Sequence, residues 1–247
     1  MGLVQINVAP GVHRVEDAYV NWYLVEGDNG ITVVDSGLPA SWRSLKFTLR
    51  KLGRDLDDLR AIVLTHAHFD HVGFAERARR QLGIAVWVHP GDAELTGHPW
   101  RYEKERNPLG YAWRSQWRRT MGRMGSAGAF WVKSIEEVSL FADGQQLPVP
   151  GNPVVVATPG HTFGHCCMHL PDRNVLIAGD AIVTLDPYTG LRGPRLVARA
   201  ATADSRQALS SLDAIEATDA QLLLPGHGEP FRGAAQAAML ARSAGSA

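Results

Sequence analysis

Residues 61–73, Ala-Ile-Val-Leu-Thr-His-Ala-His-Phe-Asp-His-Val-Gly, constrain this chain more than any other stretch. A short apolar run, Ala61 to Leu64, ends in His66, His68, Asp70 and His71. Short apolar runs bounded by polar residues read as buried strands. Three imidazoles and a carboxylate in six positions are poor core material. Each ring needs hydrogen-bond partners, and the carboxylate must be paired or stay wet. A metal ion resolves the conflict, because imidazole nitrogen and carboxylate oxygen are zinc ligands.

One such cluster rarely completes a site, so other strand ends should supply further ligands. Three do: Thr158-Pro159-Gly160-His161, Ala178-Gly179-Asp180 and Pro225-Gly226-His227-Gly228. Each follows an apolar run, at Val154–Ala157, Val175–Ala178 and Leu222–Leu224. Four strand ends therefore present metal-binding side chains at wide spacing.

The pattern His66-x-His68-x-Asp70-His71, followed by His161, Asp180 and His227, resembles the metallo-β-lactamase superfamily. The resemblance runs over about residues 10–230 and fills all seven ligand positions of that family's two-metal site. It implies an α/β fold of the αββα type, with two mixed β-sheets face to face and helices outside. His66, His68 and His161 would hold one metal; Asp70, His71 and His227 would hold the other. Asp180 and a water would bridge them. Two zinc ions suit these donors, and iron or manganese fits them too. A water shared by two dications loses its proton near neutral pH. The resemblance thus implies hydrolysis by a bridging hydroxide, with Asp70 and Asp180 as the catalytic carboxylates. Asp35, in Asp35-Ser36-Gly37, would support the metal loop by hydrogen bonding without ligating.

Composition agrees with a globular enzyme: hydrophobic residues make up 45 % and charged residues 20 % of the 247. With 25 basic and 25 acidic residues the chain lacks the basic excess of a typical nucleic-acid binder. No apolar run approaches the ~20 residues that span a bilayer, and the first residues lack a secretory leader's basic start and apolar core. A cytoplasmic protein with a small-molecule substrate and no nucleic-acid or membrane partner is the expectation. The only cysteines, Cys166 and Cys167, are adjacent and read as small core residues.

Along the chain, strands at 3–8, 11–15 and 19–26 lead to a hairpin at Gly27-Asp28-Asn29-Gly30. Ser41, a candidate N-cap, opens a helix with Leu45, Leu49 and Leu52 on one face. A second helix covers 74–82, and a strand at 84–88 ends in His89, a weaker ligand candidate. Residues 92–133 break the strand–helix rhythm within a single domain of residues 1–247. Trp113 and Trp117 are four apart, as are Arg114 and Arg118, so a helix would give this stretch an aromatic and a basic side. We read a helical lid insertion that shapes the substrate pocket, with Trp113 and Trp117 facing it. The stretch 181–203, rich in Pro and Gly, reads as an irregular loop beside the site that carries Tyr188. His165, four residues after His161, reads as a pocket or supporting residue. Helices at 204–218 and 234–242 close the chain.

The β-lactamases of the superfamily carry Cys or Ser where this chain has Asp180. The carboxylate resembles glyoxalase II and lactonases. Only twenty residues follow His227, too few for glyoxalase II's helical domain. Lactonases carry Tyr three residues after the bridging Asp; here it is Val183, so Tyr188, Tyr102 or Tyr111 would have to substitute. The expectation is a di-zinc hydrolase of a small ester, lactone, thioester or amide. The alternatives are a mono-iron persulfide dioxygenase on His66, His161 and Asp180, and a phosphodiesterase or nuclease.

Overall fold

The apolar runs are continuous because their strands are buried on both faces. In β5 (Leu59–Val63) and just beyond it, Ala61 and Val63 point into one apolar layer, and Ile62 and Leu64 into another. In β10 (Val175–Gly179), Val175 and Ile177 face inward while Leu176 and Ala178 face the opposite side. Cys166 and Cys167 split in the same way between the two faces of β9 (Cys166–Leu170), both free and buried.

A computed structural model describes residues 2–245. The first sheet contains β1 (Leu3–Ala9), β2 (Val12–Asp17), β3 (Val20–Gly27), β4 (Gly30–Val34), β5, β6 (Ala85–Val88) and β7 (Ser139–Leu140), side by side in chain order. β1 to β4 are antiparallel; β4 to β7 are parallel. The second sheet has the order β14 (Phe231–Arg232), β13 (Leu222–Pro225), β10, β9, β8 (Val154–Ala157). β10 and β13 run parallel, and β8 and β10 both run antiparallel to β9. The inward faces of the two sheets form one core, for example Tyr23, Val34 and Val63 against Met168, Ile177 and Leu224. Helices α1 (Ser41–Lys51) and α2 (Ala75–Leu82) cover the first sheet through Trp42, Leu45 and Ala78. Helices α5 (Ser205–Glu216) and α6 (Ala234–Ala244) cover the second through Leu212, Ile215 and Ala238. The expected four-layer αββα sandwich is what forms.

Three local expectations need correction. Ser41 is the first residue of α1, not its cap; its hydroxyl accepts from the Leu38 N–H. The stretch 181–203 is not wholly irregular: β11 (Val183–Leu185) and β12 (Arg192–Arg195) pair within it. Buried Asp186 holds the turn between them, accepting from the Tyr188 N–H and the Thr189 hydroxyl. Residues 92–133 do carry short helices, α3 (Ala93–Gly97) and α4 (Ser115–Ser126). α4 starts only after Trp113 and Arg114, so neither pair shares a helix face. Among the described residues, no helix is long and apolar enough to cross a membrane.

Ile177 lies fully buried between the sheets. Ile177→Ala should cost about 2–5 kcal/mol by removing methyls from a packed layer, read as a lower urea midpoint with unchanged slope.

Candidate metal centre

The carboxyl ends of β4, β5, β8, β10 and β13 converge on one edge of the sandwich. The turns beyond them bring together residues far apart in sequence. His66, His68 and His161 form one buried group in which the potential ligand atoms all lie within 4.8 Å of one another; Asp70, His71 and His227 form a second on the same criterion. His161 Nε2 sits 3.0 Å from His68 Nδ1. Asp180 stands between the groups: Oδ2 is 3.5 Å from His161 Nε2 and 3.3 Å from His227 Nε2, and Oδ1 is 3.7 Å from His71 Nε2. Asp70 Oδ2 is 3.5 Å from His227 Nε2. All seven sequence-predicted ligands therefore meet at one place. Gly226 makes room for them, since a Cβ there would lie 2.0 Å from Asp180 Oδ1.

The donor set can be tested for a metal on the protein alone. Nε2 of His66, His68 and His71, Nδ1 of His161 and Oδ1 of Asp180 are buried without a hydrogen-bond partner. Buried polar atoms are nearly always satisfied, so this many orphans at one point call for a cation. The charges agree. Burial holds His66 and His161 well below the usual imidazole range and His68 at about 4, so these rings are neutral donors. Burial alone would raise Asp70 and Asp180, but the facing histidines outweigh it and keep both carboxyls below their usual range, hence anionic. Against burial, Asp70, Asp180 and Asp35 raise His71 to about 9, and Asp180 and Asp70 hold His227 well above its ordinary value. Without a metal, these two rings take protons to supply the positive charge that the carboxylates demand. The residues fit a bound metal pair.

A layer of hydrogen bonds aims the ligands. Asp35 has a left-handed backbone (φ 60°), uncommon for a residue with a side chain. Its Oδ1 accepts from the Thr65 N–H, and its Oδ2 from the Thr65 hydroxyl and His71 Nδ1. The Thr65 hydroxyl in turn lies 3.0 Å from His66 Nδ1. Asp35 groups closely with His66 and His71, yet both its oxygens are already engaged. His165 lies behind the ligands: Nε2 accepts from the Asp180 N–H, Nδ1 faces the Thr158 hydroxyl, and burial lowers its pKa to about 3.

Two supports escaped the sequence reading. Asp92, buried, accepts from the Ala67 N–H, the Thr162 hydroxyl and the Gly164 N–H, at 2.9, 2.8 and 2.8 Å. It ties the 66–71 loop to the loop carrying His161. Tyr19, in a two-residue turn with Ala18 at φ 54° and 72°, accepts from His227 Nδ1 through its carbonyl at 2.6 Å. No motif marks either.

Over the site lies a small chamber of about 20 Å³, with Tyr102, Met121, Met124, Tyr188 and Val197 among its walls. Tyr102 and Tyr188 both line the chamber, and burial raises both hydroxyls, Tyr102 to about 12. Tyr102 lies tilted against His68, with ring centroids 4.1 Å apart. Trp117 packs behind Tyr188 without lining the chamber, and Tyr111 also lies behind it. Trp113 is on the surface, under Arg114. His89 joins neither ligand group; it accepts from the Gly91 N–H.

Residues 15–227 match the family model described as "Metallo-beta-lactamase superfamily". The chain belongs to the metallo-beta-lactamase superfamily. A Bacillus subtilis member named "Probable metallo-hydrolase YflN" is 27 % identical over 243 residues, covering 91 % of this chain and 86 % of that protein. The human "Acyl-coenzyme A thioesterase MBLAC2" is 30 % identical over 173 residues, covering 66 % and 58 % respectively. Among solved structures, TTHA1623 in a di-iron-bound form superposes with a TM-score of 0.59 at 26 % identity, covering 86 % of this chain and 89 % of that one. This metallo-beta-lactamase superfamily chain is accordingly a metallo-hydrolase.

Two outcomes are expected. Asp92→Ala should lower metal affinity about 10–100-fold, as losses in a supporting shell do, measured by chelator competition with the fold checked by circular dichroism. Metal binding should also release protons, because His71, which holds its proton below about pH 9, and His227, also raised, must both lose one. Apparent metal affinity should therefore rise with pH up to and through that value, which titration calorimetry in two buffers would read.

Proposed function

We propose that this chain hydrolyses activated acyl compounds, thioesters foremost with lactones and esters as relatives, at a two-metal site occupied by zinc. One observation carries the reading: two complete ligand groups share Asp180 beneath a chamber with apolar walls. When bound, a pair of divalent ions supplies a nucleophile from water at neutral pH and polarises the acyl oxygen. His66, His68 and His161 would hold one ion; Asp70, His71 and His227 would hold the other; Asp180 would serve both.

The remaining steps belong to the chain's own residues. Asp70, held anionic, is the group that takes up a proton during turnover and passes it to the leaving group. Asp180 fixes the spacing of the two ligand groups, with its backbone N–H anchored on His165. The Tyr102–Tyr188 pair keeps its hydroxyls neutral at physiological pH and offers a donor to the acyl oxygen. Phe69, Met121, Met124 and Val197 exclude water and seat the acyl chain. The named activity of the human relative supports a thioester substrate.

The rivals fit less well. A mono-iron dioxygenase would use His66, His161 and Asp180, and would leave Asp70, His71 and His227 buried with no task. The di-iron neighbour keeps iron open as the native metal of a two-metal site. A phosphodiester would need cationic walls; among the described residues lining the chamber there is no Lys or Arg. A volume of about 20 Å³ admits roughly one water, far less than a substrate. Residues 92–133, which contribute Tyr102, Met121 and Met124, are accordingly the lid that must shift.

Elemental analysis of protein purified without added metal should find about two zinc ions per chain. Asp180→Ala should lose at least one of them and abolish thioester hydrolysis with the fold intact. Full activity in that variant, or one iron per chain with oxygen consumption on a persulfide, would overturn the assignment. Tyr102→Phe should lower kcat on thioesters more than it changes metal content; unchanged kcat would remove Tyr102 from the mechanism.

A further inference from the structure

The outer surface of the insertion has a character that the metal centre does not use. The four most exposed large hydrophobic side chains among the described residues are Leu109, Trp113, Phe130 and Trp131, each 69–74 % exposed. In the chain, Leu109 and Trp113 precede α4, and Phe130 and Trp131 follow it. The helix between them is amphipathic in an unusual sense. Met121 and Met124 point inward over the chamber, while the exposed face carries Arg118, Arg119 and Arg123. α4 contains no acidic residue. Over residues 98–133 there are eight basic and two acidic side chains, although the whole chain has 25 of each. The remainder of the molecule therefore carries the opposite excess, and the positive charge is gathered on the insertion.

Single exposed apolar residues need no explanation, but four in the segments flanking one cationic helix mark an interaction surface. Aromatic rings at helix ends beside arginines match a bilayer interface, where rings sit among headgroups and cations meet lipid phosphates. Nucleic acid would also attract the arginines. It has no use for Leu109, however, and stacking on Trp does not account for an aliphatic side chain exposed beside it.

We propose that the outer face of α4, with Leu109, Trp113, Phe130 and Trp131, docks on an anionic lipid surface. Such a contact is peripheral and leaves the chain on one side of the bilayer. The face opposite the docked one lines the chamber, so docking places the lid between the lipid and the metal centre. Acyl substrates concentrate in bilayers; this consequence rests on the thioesterase reading, while the docking itself does not.

The test is sedimentation of the full chain with vesicles of phosphatidylcholine alone, or of phosphatidylcholine mixed with phosphatidylglycerol. Binding should require the anionic lipid and weaken as salt is raised. R118E/R119E and, separately, W113A/W131A should each lower partitioning about tenfold or more. Both should retain the wild-type metal content and circular dichroism spectrum, which reports that each has folded. No sedimentation with anionic vesicles would overturn the proposal, as would equal binding by R118E/R119E. Tighter binding to a single-stranded oligonucleotide than to vesicles would assign the face to nucleic acid instead, and a dimer abolished by W113A/W131A would assign it to a second copy. Vesicle binding without any thioester hydrolysis would count against the catalytic reading and leave the docking face standing.

Discussion

Two buried carboxylates demand positive charge, and much of the structure follows from that demand. Asp70 and Asp180 sit in a dry interior where isolated charge is costly. The histidines around them divide into two electrical classes. His66, His68 and His161 are kept neutral by burial, while His71 and His227 are driven toward their charged form by the carboxylates they face. Such a set is poorly balanced as a core and well balanced as a cage for cations. The αββα sandwich gives it a rigid mounting, because strands from both sheets end on one edge and their hydrogen bonds fix where each turn begins.

Precision comes from the layer behind the ligands. Asp35 reaches His71 directly and His66 through Thr65, in a strained backbone conformation that the surrounding fold must hold. Asp92 clamps two ligand-bearing loops that come from different sheets. The Tyr19 carbonyl leaves His227 with Nε2 directed at the carboxylates. These contacts select the ring nitrogen that is free, a choice that ligand identity alone does not make.

The insertion couples the site to its surroundings. Its inner side closes the chamber with Tyr102, Met121 and Met124, and its outer side displays arginines and aromatic rings. Trp100 joins the two, stacked at 3.7 Å on Phe69 inside the metal loop and lying parallel to Phe130 farther out. The row of rings thus ends on a residue placed between His68 and Asp70.

The sequence by itself determined the strands that carry the ligands, the layered α/β class and the seven ligand candidates. Each depends on local chemistry: apolar runs of strand length, turn residues after them, and imidazoles too numerous for a core. The tertiary structure alone decided which supports the ligands would have. Asp92 is 25 residues from Ala67 and 72 from Gly164, and a hydrogen bond across such distances leaves no periodicity to read. The same holds for Trp113 and Trp117, where four-residue spacing promised a shared helix face. α4 begins at Ser115, so one ring ends on the surface and the other behind Tyr188. Spacing predicts a face only inside a helix, and where a helix starts is settled by the packing of the chain around it.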